Sequence, residues 1–556
     1  MQLQAHVSRP DCISNAIHFH SWDFAGLSNF FTLNVPFSYS TSALFAKRIL
    51  SLIERYDEQT NKERIHIADI GAGLGLLAYR LLEVAYETKS PVAEKLHITI
   101  TEFSTDSINR IKQNPIMSRF ESQLAYDTFD LFSDSVSKFD DVDIVLMIYV
   151  LDISAQHLEY KNGKLYEWLV ASSCDDDDYI LDCEHFPPTL VQNDTLKQYF
   201  NDASQGKRNS SCTKLGALIQ EDWKQVPRQI SDFPEDCRPY LSAFLDKQNT
   251  DIKFNFCAHM TRFVTALCDS IKANDQLGVV FDFGVASYEH AVKENKHYMA
   301  NYGIGNYFTL HFPLLHHSAE QAGIQYLQSH YASRASEWCV LHSTSIDFTE
   351  VWQTFKEPHS KEVLEVLHYL ESWKNQDEQA KAKIPELLEN LSEDNWKNYN
   401  ILLWSAKYYI ERGEIIRGLE LLGKLERLNG NIGLSAYQLR LQALLMQGKA
   451  EEACELAEQL MPLANRHVGV LYQRCFALGQ VPGKEAAFIQ AIKEYLYSSD
   501  HFIPWRFFIA AVSAYVSLKQ DADAKALLTW FKTIHDELEL SYSKEIAALE
   551  ALINLE

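Results

Sequence analysis

The chain has no two cysteines at C-x-x-C spacing. Its ten cysteines occur singly, at Cys12, Cys174, Cys183, Cys212, Cys237, Cys257, Cys268, Cys339, Cys454 and Cys475. That scatter argues against a clustered zinc site and fits reduced thiols in a reducing compartment, so no metal is expected. Long apolar runs are also missing: none approaches the roughly 18 residues a membrane span needs. The opening stretch MQLQAHVSRPDCISN has neither a basic nor an apolar region. A signal peptide is therefore not expected, and the expected location is the cytoplasm. Positive charge is scarce, with 51 basic against 75 acidic residues and a net charge of -24. Such a surface repels nucleic-acid phosphate and anionic lipid. It serves solubility and suits a basic partner, such as an Arg- or Lys-bearing protein. What the chain does have is 46% hydrophobic residues over 556 positions. That is ample for packed cores and too long for one, so about two to four domains are expected.

Residues 1–60 read as a lead-in. An aromatic stretch is followed by a helix with Ala43, Ala46, Ile49, Leu50 and Ile53 at helical spacing. From Ile65, strands and helices alternate. IHIADI, LHITITEFS and VDIVLMIYVLD read as buried strands, YILDCE and QLGVVFDFG as further ones, and YFTLHFPLL as another. Such alternation predicts a parallel sheet with helices on both faces, a Rossmann-like α/β domain over 61–345. Residues 190–275 read as a mostly helical insertion over the sheet's active edge. Beyond about 346 the strand signal disappears and helix pairs recur to 556. Gly413 and Gly448 are 35 apart, and Gly418 and Ala453 hold equivalent small positions, which resembles degenerate tetratricopeptide repeats. Stacked helix pairs of that kind offer a concave surface for a protein or peptide, or else a dimer contact.

The sharpest motif is Asp69-Ile70-Gly71-Ala72-Gly73-Leu74-Gly75, between a strand and a helix. Gly71 and Gly73 let the backbone approach a ligand without a Cβ, and the following helix start suits polar ligand groups. The next strand ends at Glu102, beside Phe103, where a carboxylate can accept from both hydroxyls of a ribose. Dinucleotide binders prefer G-x-G-x-x-G and a pyrophosphate, which Asp69 would repel. S-adenosylmethionine carries an ammonium and no phosphate, and is the cofactor these residues favour. At the third strand's end, Asp127, Thr128 and Phe129 fit the same cofactor: the acid would accept from the adenine amino group and Phe129 would cover the ring. The fourth strand ends at Tyr149 and Asp152, on the methyl-donor side. Asp152 is the candidate base there, with Tyr149 orienting the acceptor and Glu184-His185 as further catalytic candidates.

These motifs, in order, resemble the MidA-type methyltransferases. FFTLNVPFSYSTSALFAKRI matches at Thr32, Pro36, Ser40 and Phe45, and IADIGAGLGLLAYRLLE carries the glycine turn with Asp69 in place of Glu. ITITEFSTDSINRIKQN matches at Glu102, Ser104 and Gln113. IYVLDISAQHLEYKNGKLYEWLV matches at Leu151, Asp152, Gly163, Glu167 and Val170, and GVVFDFGVASYE at Asp282 and Gly284. The resemblance implies a class I S-adenosylmethionine-dependent fold and, through the family's mitochondrial arginine methyltransferase, an arginine acceptor. Besides Asp69, three residues depart from the pattern. The family's Asn-Glu at the fourth strand's end is Ile148-Tyr149 here, and the Glu after the leading proline is Phe37. The expected function is methylation of a protein or peptide recruited by the repeats. The alternatives are a small-molecule methyltransferase whose repeats form a homodimer, and a cofactor-binding scaffold without turnover.

Overall fold

A computed structural model describes residues 1–25, 40–131, 133–151, 155–182, 186–207, 212–247, 250–294, 296–297, 299–301, 306–329, 336–355, 361–375, 378–430, 434–464, 468–498, 505–538 and 540–555. In chain order the strands are β1 (Gln2–Val7), β2 (Ile65–Ile70), β3 (Leu96–Glu102), β4 (Leu124–Thr128), β5 (Ile144–Ile148), β6 (Gln156–Lys161), β7 (Lys164–Ser173), β8 (Ile180–Asp182), β9 (Thr189–Val191), β10 (Gln220–Arg228), β11 (Ile252–Phe256), β12 (Leu277–Val285), β13 (Met299–Asn301), β14 (Asn306–Phe308), β15 (Leu310–His311), β16 (Gln325–Gln328) and β17 (Ser336–His342).

The main sheet runs β16-β17-β12-β5-β2-β3-β4, with β17 antiparallel to both neighbours and the rest of the path parallel. Strand β5 (IVLMI) is buried at every position, the pattern of a strand covered on both faces. The order grows outward from β2 in both directions, through β3 on one side and β5 on the other. Adjacent connections therefore diverge at the carboxyl ends of β2 and β5, where open α/β sheets bind their ligands. The helix Ala43–Thr60 lies where its apolar spacing puts it, started by Ser42, whose side chain accepts from Phe45 N.

The segment over 190–275 is helical over more than half of its described residues, in Asn193–Ser204, Cys212–Leu218, Arg238–Asp246 and Ala258–Asn274, but it is not helix alone. It contributes β10 and β11 to a second, antiparallel sheet, β1-β7-β6-β11, in which β10 also pairs with β7. Asn162 and Gly163, both at positive φ, turn the β6–β7 hairpin. Glu167, buried in this sheet, accepts from Ser8, from Gln156 Nε2 (3.0 Å) and from Arg228 Nε (2.7 Å), so it ties three segments together. Two further readings change. YILDCE does not join the main sheet: β8 forms a hairpin with β9. YFTLHFPLL splits, because β14 and β15 are short and Phe312, followed by Pro313 in the first turn, starts the helix Phe312–Ala322.

After β17 the described residues are largely helical, with turns between the helices. Helix pairs Tyr399–Glu411/Ile415–Asn429, Leu434–Met446/Ala450–Ala464, Val468–Leu478/Glu485–Ser498 and Trp505–Ser517/Asp521–Glu537 precede a last helix, Ser543–Leu555. Gly418 packs so tightly that a Cβ there would lie 2.5 Å from Ile410 Cγ1 and 3.0 Å from Ala406 O. The pairs are not a detached array. One hydrophobic cluster runs continuously from Ile53, Leu77 and Ile111 to Leu402, Leu425, Leu471 and Phe508. Lys397 pairs with Glu87 (2.6 Å) and Lys47 with Asp394 (2.5 Å) across the same junction. No described helix is long and apolar enough to cross a membrane.

Candidate active site

Strand β2 delivers Asp69 and the glycine loop to the divergence point. Gly71, Gly73 and Gly75 all have positive φ. A Cβ at Gly71 would lie 2.7 Å from Val150 Cγ2, and one at Gly75 2.7 Å from Ile111 Cγ2, so the loop can only be this tight with glycine. The loop is latched to β3. Ala72 N donates to Thr101 O (3.0 Å), Thr101 Oγ1 to Asp69 O (3.0 Å), and Gly73 N to Glu102 Oε1 (2.5 Å). The amides of Ala72 and Gly73 are thus occupied by the protein itself. What the loop offers a ligand is backbone bare of side chains at Gly71 and Gly73, rimmed by two carboxylates.

Those carboxylates are the chemical core of the site. Asp69 is 2% and Glu102 7% exposed. Burial, with the nearby Glu102 charge adding to it, pushes the Asp69 carboxyl up to about 7. Burial also pushes Glu102 up to about 7, against the opposing pull of the Gly73 and Phe103 amides. Asp69 Oδ2 is buried and has no hydrogen-bond partner among the described residues. A buried carboxylate oxygen without a donor is costly unless a ligand supplies one. An ammonium would satisfy Asp69, and Glu102 retains accepting capacity for a hydroxyl pair.

The other predicted positions divide. Phe103, next to Glu102, is 41% exposed and leaves an aromatic surface at the β3 end. Thr128, not Asp127, stands opposite Glu102 in the β3–β4 ladder. Asp127 is engaged by Lys138 (2.9 Å), whose hydrogen bond holds its carboxyl below the usual range. Phe129 lies largely inside the protein. It is 3% exposed and packs on Phe139 (4.6 Å) and Phe263 (6.1 Å) in a core cluster that also holds Ile70. Tyr149 closes β5 with φ 55, a backbone state unfavourable for a bulky side chain, and its N donates to Phe281 O (2.8 Å). Its ring lies 5.0 Å from that of Phe283. Asp152, Glu184 and His185 lie outside the described residues, as do Thr32, Pro36 and Phe37. Asp282 is fully buried, and its Oδ2 accepts from Leu151 N (3.0 Å), fixing the segment that follows Tyr149. Its family landmark was legible in the sequence; its partner was not. Among the described residues no cluster of His, Cys, Asp and Glu could hold a metal ion.

Residues 44–231 match the sequence model of the family described as "Putative S-adenosyl-L-methionine-dependent methyltransferase". No curated protein matches the chain. Among solved structures the chain is similar to a superfamily member from Burkholderia thailandensis bound to S-adenosyl-homocysteine: 13% identical, TM-score 0.37, covering 57% of this chain and 81% of that one. It is also similar to an uncharacterised protein of that superfamily from the same organism, at 12% identity and TM-score 0.38, covering 62% and 88%. The chain is a methyltransferase, a mixed α/β sheet domain followed by a largely helical region. Its cofactor is S-adenosylmethionine.

Proposed function

We propose that the enzyme methylates a protein or peptide acceptor, with arginine as the first residue to test, and that the C-terminal helix pairs, read as tetratricopeptide-like, hold the target. S-adenosylmethionine supplies an already activated methyl group, so the protein's work is to align an acceptor lone pair and take up a proton where the acceptor carries one. Asp69 and Glu102 are the residues suited to the cofactor's ammonium and ribose. Tyr149, with Phe283 beside it, suits the acceptor side, where an aromatic face can attract a guanidinium without a carboxylate.

The observation that carries this reading is the stacking of Phe186 on Phe508. The rings lie 5.9 Å apart and 8° from parallel, with Lys493 Nζ 5.7 Å from the Phe186 ring centre. Phe186 directly follows the candidates Glu184 and His185, and Phe508 belongs to the fourth helix pair. A target lying along the helix pairs would therefore approach Phe186, the residue next in sequence to those candidates. The net charge of -24 favours a basic target. The test is transfer of a radiolabelled methyl group from S-adenosylmethionine into cell lysate, resolved by size. Label in a protein band that is absent with Gly73→Asp supports the proposal; label confined to small molecules overturns it.

A further inference from the structure

The cofactor loop is braced from an unexpected direction. The helix Leu76–Glu87, which begins at Gly75, carries Arg80 one turn in, fully buried. Arg80 is paired with Glu83, and its Nε donates to Thr41 O (3.2 Å). Its Nη2 donates to Leu428 O (3.3 Å), 348 residues away in the helical region. The neighbouring carbonyl, Asn429 O, accepts from Asn114 Nδ2 (3.1 Å). Leu428 and Asn429 end the helix Ile415–Asn429, whose last carbonyls have no partner within the helix. Two buried donors of the catalytic domain thus cap one helix end of the C-terminal region.

Asn114 leads straight back to the loop. Its N donates to Ile111 O (3.0 Å), and its O accepts from Met117 N (3.0 Å). The side chains of Ile111 and Met117 are two of the three groups packed on Gly75, where a Cβ would meet them at 2.7 and 3.3 Å. On the far side Gly430, at φ 65 and ψ -148, has no room for a side chain: a Cβ there would overlap Asn114 Oδ1. From Gly430 to Gly75 every step is a hydrogen bond, a covalent link or a close packing contact.

We propose that Asn114 and Arg80 are positioning residues for the cofactor, joining the Leu428–Gly430 helix end to the glycine loop, so that S-adenosylmethionine affinity is coupled to docking of the helical region. Affinity coupled in this way is reciprocal: what holds the helix end tightens the loop, and what fills the loop protects the helix end.

The experiment uses the full-length chain. Asn114→Asp keeps an oxygen for Ile116 N, which Asn114 Oδ1 now accepts at 3.4 Å, but can no longer donate to Asn429. Gly430→Ala disturbs the contact from the other side and leaves every residue of the catalytic domain unchanged. Titration calorimetry with S-adenosylmethionine, under conditions where circular dichroism shows native helix content, should give a Kd raised about three- to tenfold in both variants, the loss of about one buried hydrogen bond. A lowered melting temperature with Kd within twofold of the parent in both would mean the contact only stabilises the fold, and would overturn the proposal. Hydrogen exchange on the unmodified protein decides the matter if a variant does not fold. Saturating S-adenosylmethionine should slow exchange at the amides of 425–430 as well as at the loop. Protection at the loop with none at 425–430 refutes the coupling. No binding by the parent chain would instead refute the cofactor site itself.

Discussion

Asp69 should make cofactor binding steeply dependent on pH. In the ligand-free protein its carboxyl is pushed from an ordinary 3.8 to about 7, first by burial and then by Glu102. Glu102 accepts from the Gly73 and Phe103 amides, which favour its ionised form, so it should ionise before Asp69. At pH 6 Asp69 is then mostly protonated and a poor partner for an ammonium; by pH 7.5 it is mostly ionised. A charge-assisted hydrogen bond contributes about 1.5–3 kcal/mol, or roughly 10- to 150-fold in affinity. The Kd for S-adenosylmethionine should therefore fall between pH 6 and 7.5, by at most tenfold per pH unit for the Asp69 proton, with Glu102 releasing a second over the same window, and should stop improving above about pH 8, as the ligand's α-ammonium titrates. Calorimetry in two buffers of different ionisation enthalpy would count those protons, and Asp69→Asn should release fewer than the parent. Asp69→Asn should bind weakly and keep only the shallower acid limb that Glu102, also held at about 7, contributes. Equal affinities at pH 6 and 7.5, or an Asp69→Asn variant that binds like the parent, would refute the reasoning.

The same carboxyl gives a stability effect of opposite sense. Between its unfolded value of 3.8 and its folded value of about 7, the native state holds a proton that the unfolded chain has lost. Stability of the ligand-free protein should therefore fall as pH rises through that window, by at most about 1.4 kcal/mol per pH unit from this group. Ligand-free Asp69→Asn should melt higher than the parent at pH 8 and about equally at pH 4, measured by thermal unfolding. A parent whose stability rises through this window, with the variant following it, would show that Asp69 is not held protonated.

Gly73→Asp puts a side chain and a charge at a position of φ 60 beside Glu102, so cofactor binding should vanish while the circular dichroism spectrum persists; unchanged affinity in a titration would remove this loop from the site. Glu102→Ala should weaken binding roughly 30- to 150-fold through loss of a bidentate contact to the ribose of about 2–3 kcal/mol. A loss under threefold would mean that Glu102 serves only to latch Gly73. Deleting 375–556 should yield a chain that aggregates or loses its cofactor, because it cuts through one continuous hydrophobic cluster and removes the acceptors from Arg80 and Asn114. A soluble truncated chain that binds S-adenosylmethionine like the parent would show the two regions to be independent.

The parts legible in the sequence are those whose signals are local. Strands β2, β3 and β5 announce themselves as apolar runs, and the glycine loop by its place between strand and helix. The second sheet was hidden for physical reasons. Its hairpin signal, Asn162-Gly163, sits inside a stretch dominated by a family landmark. Strand β10, QEDWKQVPR, has no fully buried position and contains Pro227, so it reads as loop although it pairs with β7 along its whole length. The burial of Phe129 was not legible either, because an aromatic after a strand end looks the same whether it turns outward, as Phe103 does, or into the core.

Arg80 and Asn114 were illegible for a deeper reason. Each reads as an unremarkable polar residue near a helix end, and each meets a partner more than 300 residues on. Nothing in composition or period distinguishes a tethered recruiting domain from one whose helix ends are capped by the catalytic domain, since both need the same apolar stripes within each pair. The difference lies at the junction. There a buried arginine bonded to Glu83, Thr41 O and Leu428 O would be left short of an acceptor if the helices came away, and an unpaired buried donor is costly. A tether tolerates separation; this junction does not. A target that binds the helix pairs is thus held on a body continuous with the loop that holds the methyl donor, and its binding is free to bias that loop as well as to raise the target's local concentration.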